Sequence, residues 1–309
     1  MSGKYATERL AADDAGIARA ARLLRNGALV ALPTETVYGL AARADSDEAV
    51  ARIYEAKGRP SFNPLIVHVG SPEQVEALAE FGETARELAA AHWPGPLTLV
   101  LPRRRDAKLA TTVSAGLPTL ALRWPGHPVM QAVLAGTGAP LAAPSANRSG
   151  FVSPTTAEHV LATLDGRIDA VLDGGPCPAG LESTIVAVRD HGRLEVLRPG
   201  PISIAADLAA GNAVESPGQL ASHYAPGKPL RLDALHAGKE EFLIGFGWMP
   251  GDCTLSPTGN LEEAAARLYA CLHEAARAPQ PRIAVVPIPA DGIGAAINDR
   301  LRRAAVPQG

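Results

Sequence analysis

At 309 residues, 47% hydrophobic and 20% charged, the chain carries enough apolar material for a buried core and has the makeup of neither a disordered nor a membrane protein. At roughly 150 residues per domain, its length fits about two domains. The formal net charge of -3 and a sequence pI near 6.3 leave no global attraction for nucleic acid, so any RNA contact needs a local patch.

Cys177, Cys253 and Cys271 are too few and too widely spaced for a disulfide framework or a zinc knuckle. They read as buried or incidental thiols in a reducing compartment. Lys4, Glu8, Arg9, Asp13 and Asp14 interrupt the N-terminal apolar residues, and no uncharged run reaches a membrane span. The expectation is a soluble cytoplasmic protein.

In chain order, apolar spacing predicts a helix over Ile17 to Arg25, stopped by Asn26 and Gly27, and then a strand over Ala28 to Leu32. Pro33 ends that strand and leaves Thr34 to Gly39 on the following turn. Ser46 and Asp47 cap a helix that runs through Val50, Ile53 and Tyr54 to Lys57. Next come a strand at Leu65 to Val69, a helix from Pro72 to Ala91, and strands at Leu97 to Leu101 and around Thr119 to Arg123. Further strands are expected at Ala170 to Leu172, Ser183 to Val188 and Leu194 to Leu197.

Between Gly200 and Pro229 the texture changes to a short helical piece at Ile204 to Ala210 and then a linker containing Pro217, Gly218, His223, Tyr224 and Pro226. A small α/β unit follows, with strands at Leu230 to Leu232, Phe242 to Phe246 and Ile283 to Pro287 and helices over Leu261 to Ala276 and Gly294 to Ala305. The alternation of patterns predicts an α/β class but leaves strand order open.

The residues richest in chemistry are Lys57, Gly58, Arg59 and Pro60, followed at once by Asn63, Pro64 and an apolar strand ending in His68. Fixed cations, an amide and an imidazole around a stiff turn suit an anionic ligand. On an extended segment Lys57 and Arg59 share a face and converge on one anion; at a helix C-terminus the same pair is ordinary. A second group, Pro144, Ser145, Ala146, Asn147, Arg148, Ser149 and Gly150 with Ser153 beyond, follows an apolar stretch. Its hydroxyls and amides fit phosphate, ribose or a base edge, or a plain turn. The third runs from Asp173 and Gly174 to Glu182, Ser183 and Thr184, and Arg198 adds a cation at a strand end. There is no Walker A sequence, no dinucleotide fingerprint and no histidine spacing for zinc.

Taken together, these segments resemble the threonylcarbamoyl-AMP synthases, the two-domain Sua5-type members of the YrdC family. The likeness runs from Pro33–Gly39 through the Lys57 cluster, Pro94–Thr98, Arg123, Pro144–Gly150, Glu182–Val186 and Arg198–Gly200 to His223, Tyr224, Ala225, Pro226 and then Gly292, Gly294 and Ala296–Leu301. The resemblance implies a YrdC-like twisted open sheet with a large concave cavity over 1–201, an interdomain linker or lid over 202–229, and a Rossmann-like domain over 230–309. It implies a nucleotidyltransferase that joins L-threonine, bicarbonate and ATP, with Mg2+, into threonylcarbamoyl-AMP and pyrophosphate. The product would pass to the machinery that builds N6-threonylcarbamoyladenosine at position 37 of tRNA. By similarity Thr36, His68, Arg123 and Ser183 contact threonine. Lys57, Arg59, Asn63, Thr119, Ser145, Asn147, Ser153, Arg198 and Tyr224 surround ATP, with Lys57 and Arg59 offsetting charge on the phosphates. Two positions depart from the family pattern: Ala187 stands where an acid is common, and Gln219 where methionine is common.

Two other readings stay open on sequence. One is a double-stranded-RNA-binding protein using the same concave surface, which predicts salt-sensitive RNA binding without ATP use. The other is a carbamoyltransferase like the YrdC-like portion of hydrogenase maturation factors.

Overall fold

The structure is a computed structural model that describes residues 6–209, 214–219 and 222–306. Its first unit contains β1 (Glu8–Ala11), α1 (Asp14–Arg25), β2 (Val30–Leu32), β3 (Gly39–Arg43), α2 (Asp47–Lys57), β4 (Ile66–His68), α3 (Pro72–Leu78), α4 (Glu83–His92) and β5 (Leu97–Pro102). It continues with β6 (Thr119–Arg123), α5 (Pro128–Thr137), β7 (Leu141–Ala142), α6 (Ala157–Leu164), β8 (Ala170–Asp173), β9 (Thr184–Val188), β10 (Leu194–Arg198) and β11 (Asp207–Leu208). The eleven strands form one mixed sheet in the order β1-β8-β2-β3-β7-β4-β6-β5-β9-β10-β11. Side chains alternate across it. Leu97, Leu99 and Leu101 of β5 enter the larger core with Val50, Ile53 and Val75 of α2 and α3, whereas Val100 packs on the opposite face with Ile66, Ala121, Ile185, Ala187 and Leu197. Burial on both faces explains why these strands read as near-continuous apolar runs.

The second unit is a parallel sheet in the order β12-β15-β13-β14, with strands Leu230–Arg231, Arg282–Val285, Glu241–Gly245 and Cys253–Thr254, flanked by α7 (Leu261–Arg277) and α8 (Gly294–Ala305). Its core is not closed on itself. Val37, Val152, Leu181 and Tyr224 pack into it beside Leu268, Leu272, Ile297 and Leu301.

Several expectations change. The helix foreseen over Pro72 to Ala91 is two helices, because Ala79 bridges Arg103 and the Glu80 amide donates to Pro102, which draws the chain between them into extended pairing. The helical piece at Ile204 to Ala210 is irregular backbone leading into β11, which pairs with β10; Ala210 itself lies outside the described residues. Cys253 and Cys271, read as buried or incidental thiols, form a disulfide, because the fold lays β14 against α7 and brings their Cα atoms to 5.8 Å. Cys177 is free and buried. Among the described residues no helix is long and apolar enough to cross a membrane.

Candidate active site

Ser46 caps the start of α2 by accepting from the Ala49 amide, and Gly58 ends the helix in the left-handed conformation at φ 60° that glycine adopts without steric cost. The chain therefore turns sharply between Lys57 and Arg59, and the shared extended face does not form. Lys57 donates to the carbonyl of Ser145 at 2.6 Å and to that of Asn147, so it ties α2 to the 144–150 loop. Burial, and then the charge of Arg59, push its pKa well below the ordinary lysine value. Arg59 donates to the carbonyls of Asn63 and Pro64 and, at 2.6 Å, to Asn63 Oδ1; burial lowers its pKa to about 10. That bond leaves the buried Asn63 Nδ2 unpartnered.

A cleft opens where β3, β4, β6 and the 182–198 segment converge. Thr36, Arg59, His68, Arg123, Ser145, Glu182, Ser183, Arg198, His223 and Tyr224 all line it. Arg123 ends β6 directly opposite His68 at the end of β4, so the parallel register sets guanidinium beside imidazole. Arg123 donates to Thr36 Oγ1 at 2.9 Å and to the Gly95 carbonyl at 3.2 Å, and pairs with Glu35 at 2.7 Å. Burial alone would raise Glu35, but the Arg123 charge and the Gly126 amide overcome it and hold the carboxyl at about 2. Burial, reinforced by Arg123, lowers His68 to about 3, so its ring is neutral, and Nδ1 is buried without a partner.

On the other wall Ser183 Oγ lies 2.7 Å from Thr98 Oγ1, and Arg198 donates to both the Ser183 carbonyl and Oγ. Arg198 also reaches the Pro217 carbonyl, so the linker crosses the cleft on its guanidinium. Gln219 takes a structural part: its Oε1 accepts from the Glu215 and Ser216 amides and fastens that turn. Ala187 is fully buried on β9 in the apolar cluster that holds Val100, Ile185 and Leu197, directly opposite Glu195 of β10. His223 packs edge-on to Tyr224, and burial lowers it to about 3. His223 Nδ1 and the Tyr224 hydroxyl are both buried and unpartnered.

Not every residue singled out from the sequence reaches the cleft wall. Lys57, Asn147 and Ser153 sit behind it, with Asn147 Nδ2 bonded to the Arg148 and Phe151 carbonyls and Ser153 Oγ bonded to Glu182 at 2.6 Å. Thr119 stands apart, at the far end of β6 from Arg123 and opposite Pro102. Sequence reasoning gave no role to Glu35 or Glu182, although both fall inside quoted motifs. Nothing along the chain shows that each faces an arginine. A larger groove of about 620 Å³ beside α3 and α4 contains none of the singled-out residues, and four of its charges pair internally, Arg86 with Glu76 and Arg104 with Asp106.

The fold and this cleft define a class: two-unit α/β proteins whose cationic, hydroxyl-rich cavity is bridged by the interunit linker. Family comparison agrees. Residues 22–200 match a model described as "Telomere recombination", named for Sua5, YciO and YrdC, and residues 183–306 match "Threonylcarbamoyl-AMP synthase, C-terminal domain". The threonylcarbamoyl-AMP synthase of Bacillus subtilis is 41% identical across 97% of this chain and 95% of its own, and that of Pyrococcus abyssi is 37% identical across 93% of each. The crystal structure of P. abyssi Sua5 complexed with L-threonine superposes with a TM-score of 0.89 at 35% identity, covering 97% of this chain and 98% of that one. The chain belongs to the Sua5/YciO/YrdC family, in its two-unit threonylcarbamoyl-AMP synthase branch. Escherichia coli YciO, at 21% identity and a TM-score of 0.55 over 63% of this chain, shares the fold of the first unit.

Proposed function

We propose that this chain is a threonylcarbamoyl-AMP synthase that joins L-threonine, bicarbonate and ATP, releases pyrophosphate, and works in the cytoplasm. The observation that supports it most is the convergence of Arg123, Thr36, His68 and Ser183 with Arg59 and Arg198 in one cleft under the linker, in a chain alike along its whole length to named synthases.

In this reading Arg123 has donors to spare beyond Thr36, Gly95 and Glu35 and takes the threonine carboxylate. The neutral His68 ring and Ser183 Oγ face the amine and hydroxyl. The threonine nitrogen attacks carbon dioxide derived from bicarbonate and loses a proton, giving a carbamate. A carbamate oxygen then attacks the α-phosphorus of ATP while the bond to the β-phosphate oxygen breaks and pyrophosphate leaves. Arg59 and Arg198 offset the phosphate charge, and Lys57 fixes the 144–150 loop beneath them. Asn63 Nδ2 and the Tyr224 hydroxyl, both unpartnered, supply donors to the nucleotide. The linker excludes water from a carbamate that water would destroy.

The acids of the cleft, Glu35 and Glu182, are committed to arginines, and among the described residues no group of three His, Cys, Asp or Glu is placed to hold a metal. Mg2+ would come with ATP and would supply charge neutralisation on its phosphates. The product then passes to the tRNA threonylcarbamoyl-transfer machinery.

The test is pyrophosphate release by purified protein with ATP, Mg2+ and bicarbonate, with and without L-threonine, and product identification by mass. Release that needs threonine, together with the threonylcarbamoyl-AMP mass, is expected. Release indifferent to threonine, from folded protein that binds ATP, would overturn the reading.

A further inference from the structure

Glu182 is buried at the cleft wall one residue before Ser183, and its carboxylate is held from the second unit. Oε1 accepts from Ser153 at 2.6 Å; Oε2 accepts from the single Tyr269 hydroxyl proton at 2.8 Å, with that hydroxyl 3.0 Å from Oε1, and from Arg300 Nε at 2.9 Å. Arg300, on α8, is completely buried, and its far nitrogen donates to the Pro199 carbonyl at 2.9 Å. One guanidinium thus grips the residue before Ser183 and the residue after Arg198, and those two cleft residues bond each other. The same guanidinium lies 5.4 Å from the Tyr224 ring, which stacks at 5.7 Å on Tyr269. Tyr224 has φ 62°, a left-handed conformation that bulky residues avoid, so its placement over the cleft depends on these contacts.

We propose that Tyr269 and Arg300 are positioning residues for the adenylation: through Glu182 they set Ser183 and Arg198, and through the Tyr224 ring they hold the linker closed. The proposal rests on the synthase reading above, and it makes the second unit a structural part of the active site. Arg300 also keeps a buried carboxylate from facing the triphosphate unopposed.

The primary variant is Tyr269→Phe, which keeps the ring and its packing and removes only the hydroxyl; Arg300→Lys is the second. Three quantities are measured: kcat for adenylate synthesis, L-threonine affinity by calorimetry, and the rate of chymotrypsin cleavage after Tyr224, which needs no chemistry. Tyr269→Phe is expected to lower kcat about tenfold or more, in keeping with loss of a bond to a charged group. Threonine affinity should stay within about threefold, because Arg123 and Thr36 are untouched, and cleavage should stay near wild type, because the ring stacked on Tyr224 is kept; Arg300→Lys, which takes the planar cation away from the Tyr224 ring, should speed cleavage about tenfold. A merely structural ion pair predicts that kcat falls only as far as the folded fraction does. A folded Tyr269→Phe protein with wild-type kcat, or a folded Arg300→Lys protein with wild-type cleavage, would overturn the proposal. If wild-type protein makes no adenylate, the synthase reading falls and the catalytic half of the proposal falls with it, while the cleavage rates still decide whether the latch exists.

Discussion

Arg123 meets a carboxylate before any substrate arrives, because Glu35 already sits 2.7 Å away. Removing either partner leaves a buried charge uncompensated, at about 3–5 kcal/mol, so Arg123→Gln would confuse loss of fold with loss of binding. Thr36→Val is the cleaner probe: it keeps the volume and removes the hydroxyl that accepts from Arg123. The expected outcome is a KM for L-threonine raised about tenfold, equivalent to about 1.4 kcal/mol, with the KM for ATP little changed and the melting temperature lowered by a few degrees, because a buried Arg123 N–H loses its acceptor. An unchanged threonine KM would take Thr36 out of the amino-acid site. At this scale the sequence was informative about which residues carry charge and poor about what they touch. Lys57 and Arg59 stood out as cations beside proline and glycine, yet the bonds of Lys57 to the Ser145 and Asn147 carbonyls arise only when the distant 144–150 loop returns to the end of α2, while Arg59 folds back onto the Asn63 and Pro64 carbonyls of its own turn. Arg300 and Glu182 are separated by more than a hundred residues, and no local pattern links them.

Among the elements the linker is the one whose geometry tolerates least change. Gly218 has φ 90°, and a Cβ there would lie 2.8 Å from Arg198 Cδ and 3.0 Å from the Tyr224 hydroxyl oxygen. Gly218→Ala combines left-handed strain of about 1–3 kcal/mol with a clash against two cleft residues. We expect adenylate synthesis to drop about tenfold or more while circular dichroism stays near wild type and the melting temperature falls by no more than the few degrees that strain accounts for, since Gly218 belongs to neither core. A fully active Gly218→Ala protein would show that the crossing seen here is not the catalytic one. Strands and helices with strong periodicity were legible: β6 and α8 match their expected bounds, and α2 begins at its foreseen cap. β3, α5 and α6 went unremarked. The break between α3 and α4 escaped because the pairing of Ala79 with Arg103 is a tertiary contact that overrides helical spacing.

Across the whole molecule, acid should be a weak point. His68, His223 and His273 are buried with pKa values lowered to about 3, and His159, stacked on His273 with ring centroids 3.9 Å apart, is lowered to about 4, in each case chiefly by burial. A histidine whose folded pKa lies below its unfolded value near 6.5 gives its full stability above pH 6.5 and loses it as pH falls toward the folded value. At pH 5 the loss is up to about 2 kcal/mol for each such ring. Urea titrations should therefore show a lower midpoint at pH 5 than at pH 7 with a similar slope; equal midpoints would mean that these rings are not held neutral. The core shared between the two sheets was not legible, since Val37, Val152 and Leu181 carry no mark of belonging with α7 and α8. That sharing has a consequence for the protein as it is made. A ribosome releases Glu182 more than a hundred residues before Arg300, so the first unit emerges with an unneutralised acid and an uncovered apolar face beside its cleft. Only when α8 follows is the acid matched and the face covered, which ties competence to completion of the chain: a stalled or truncated product ending before α8 should be an inactive client of chaperones.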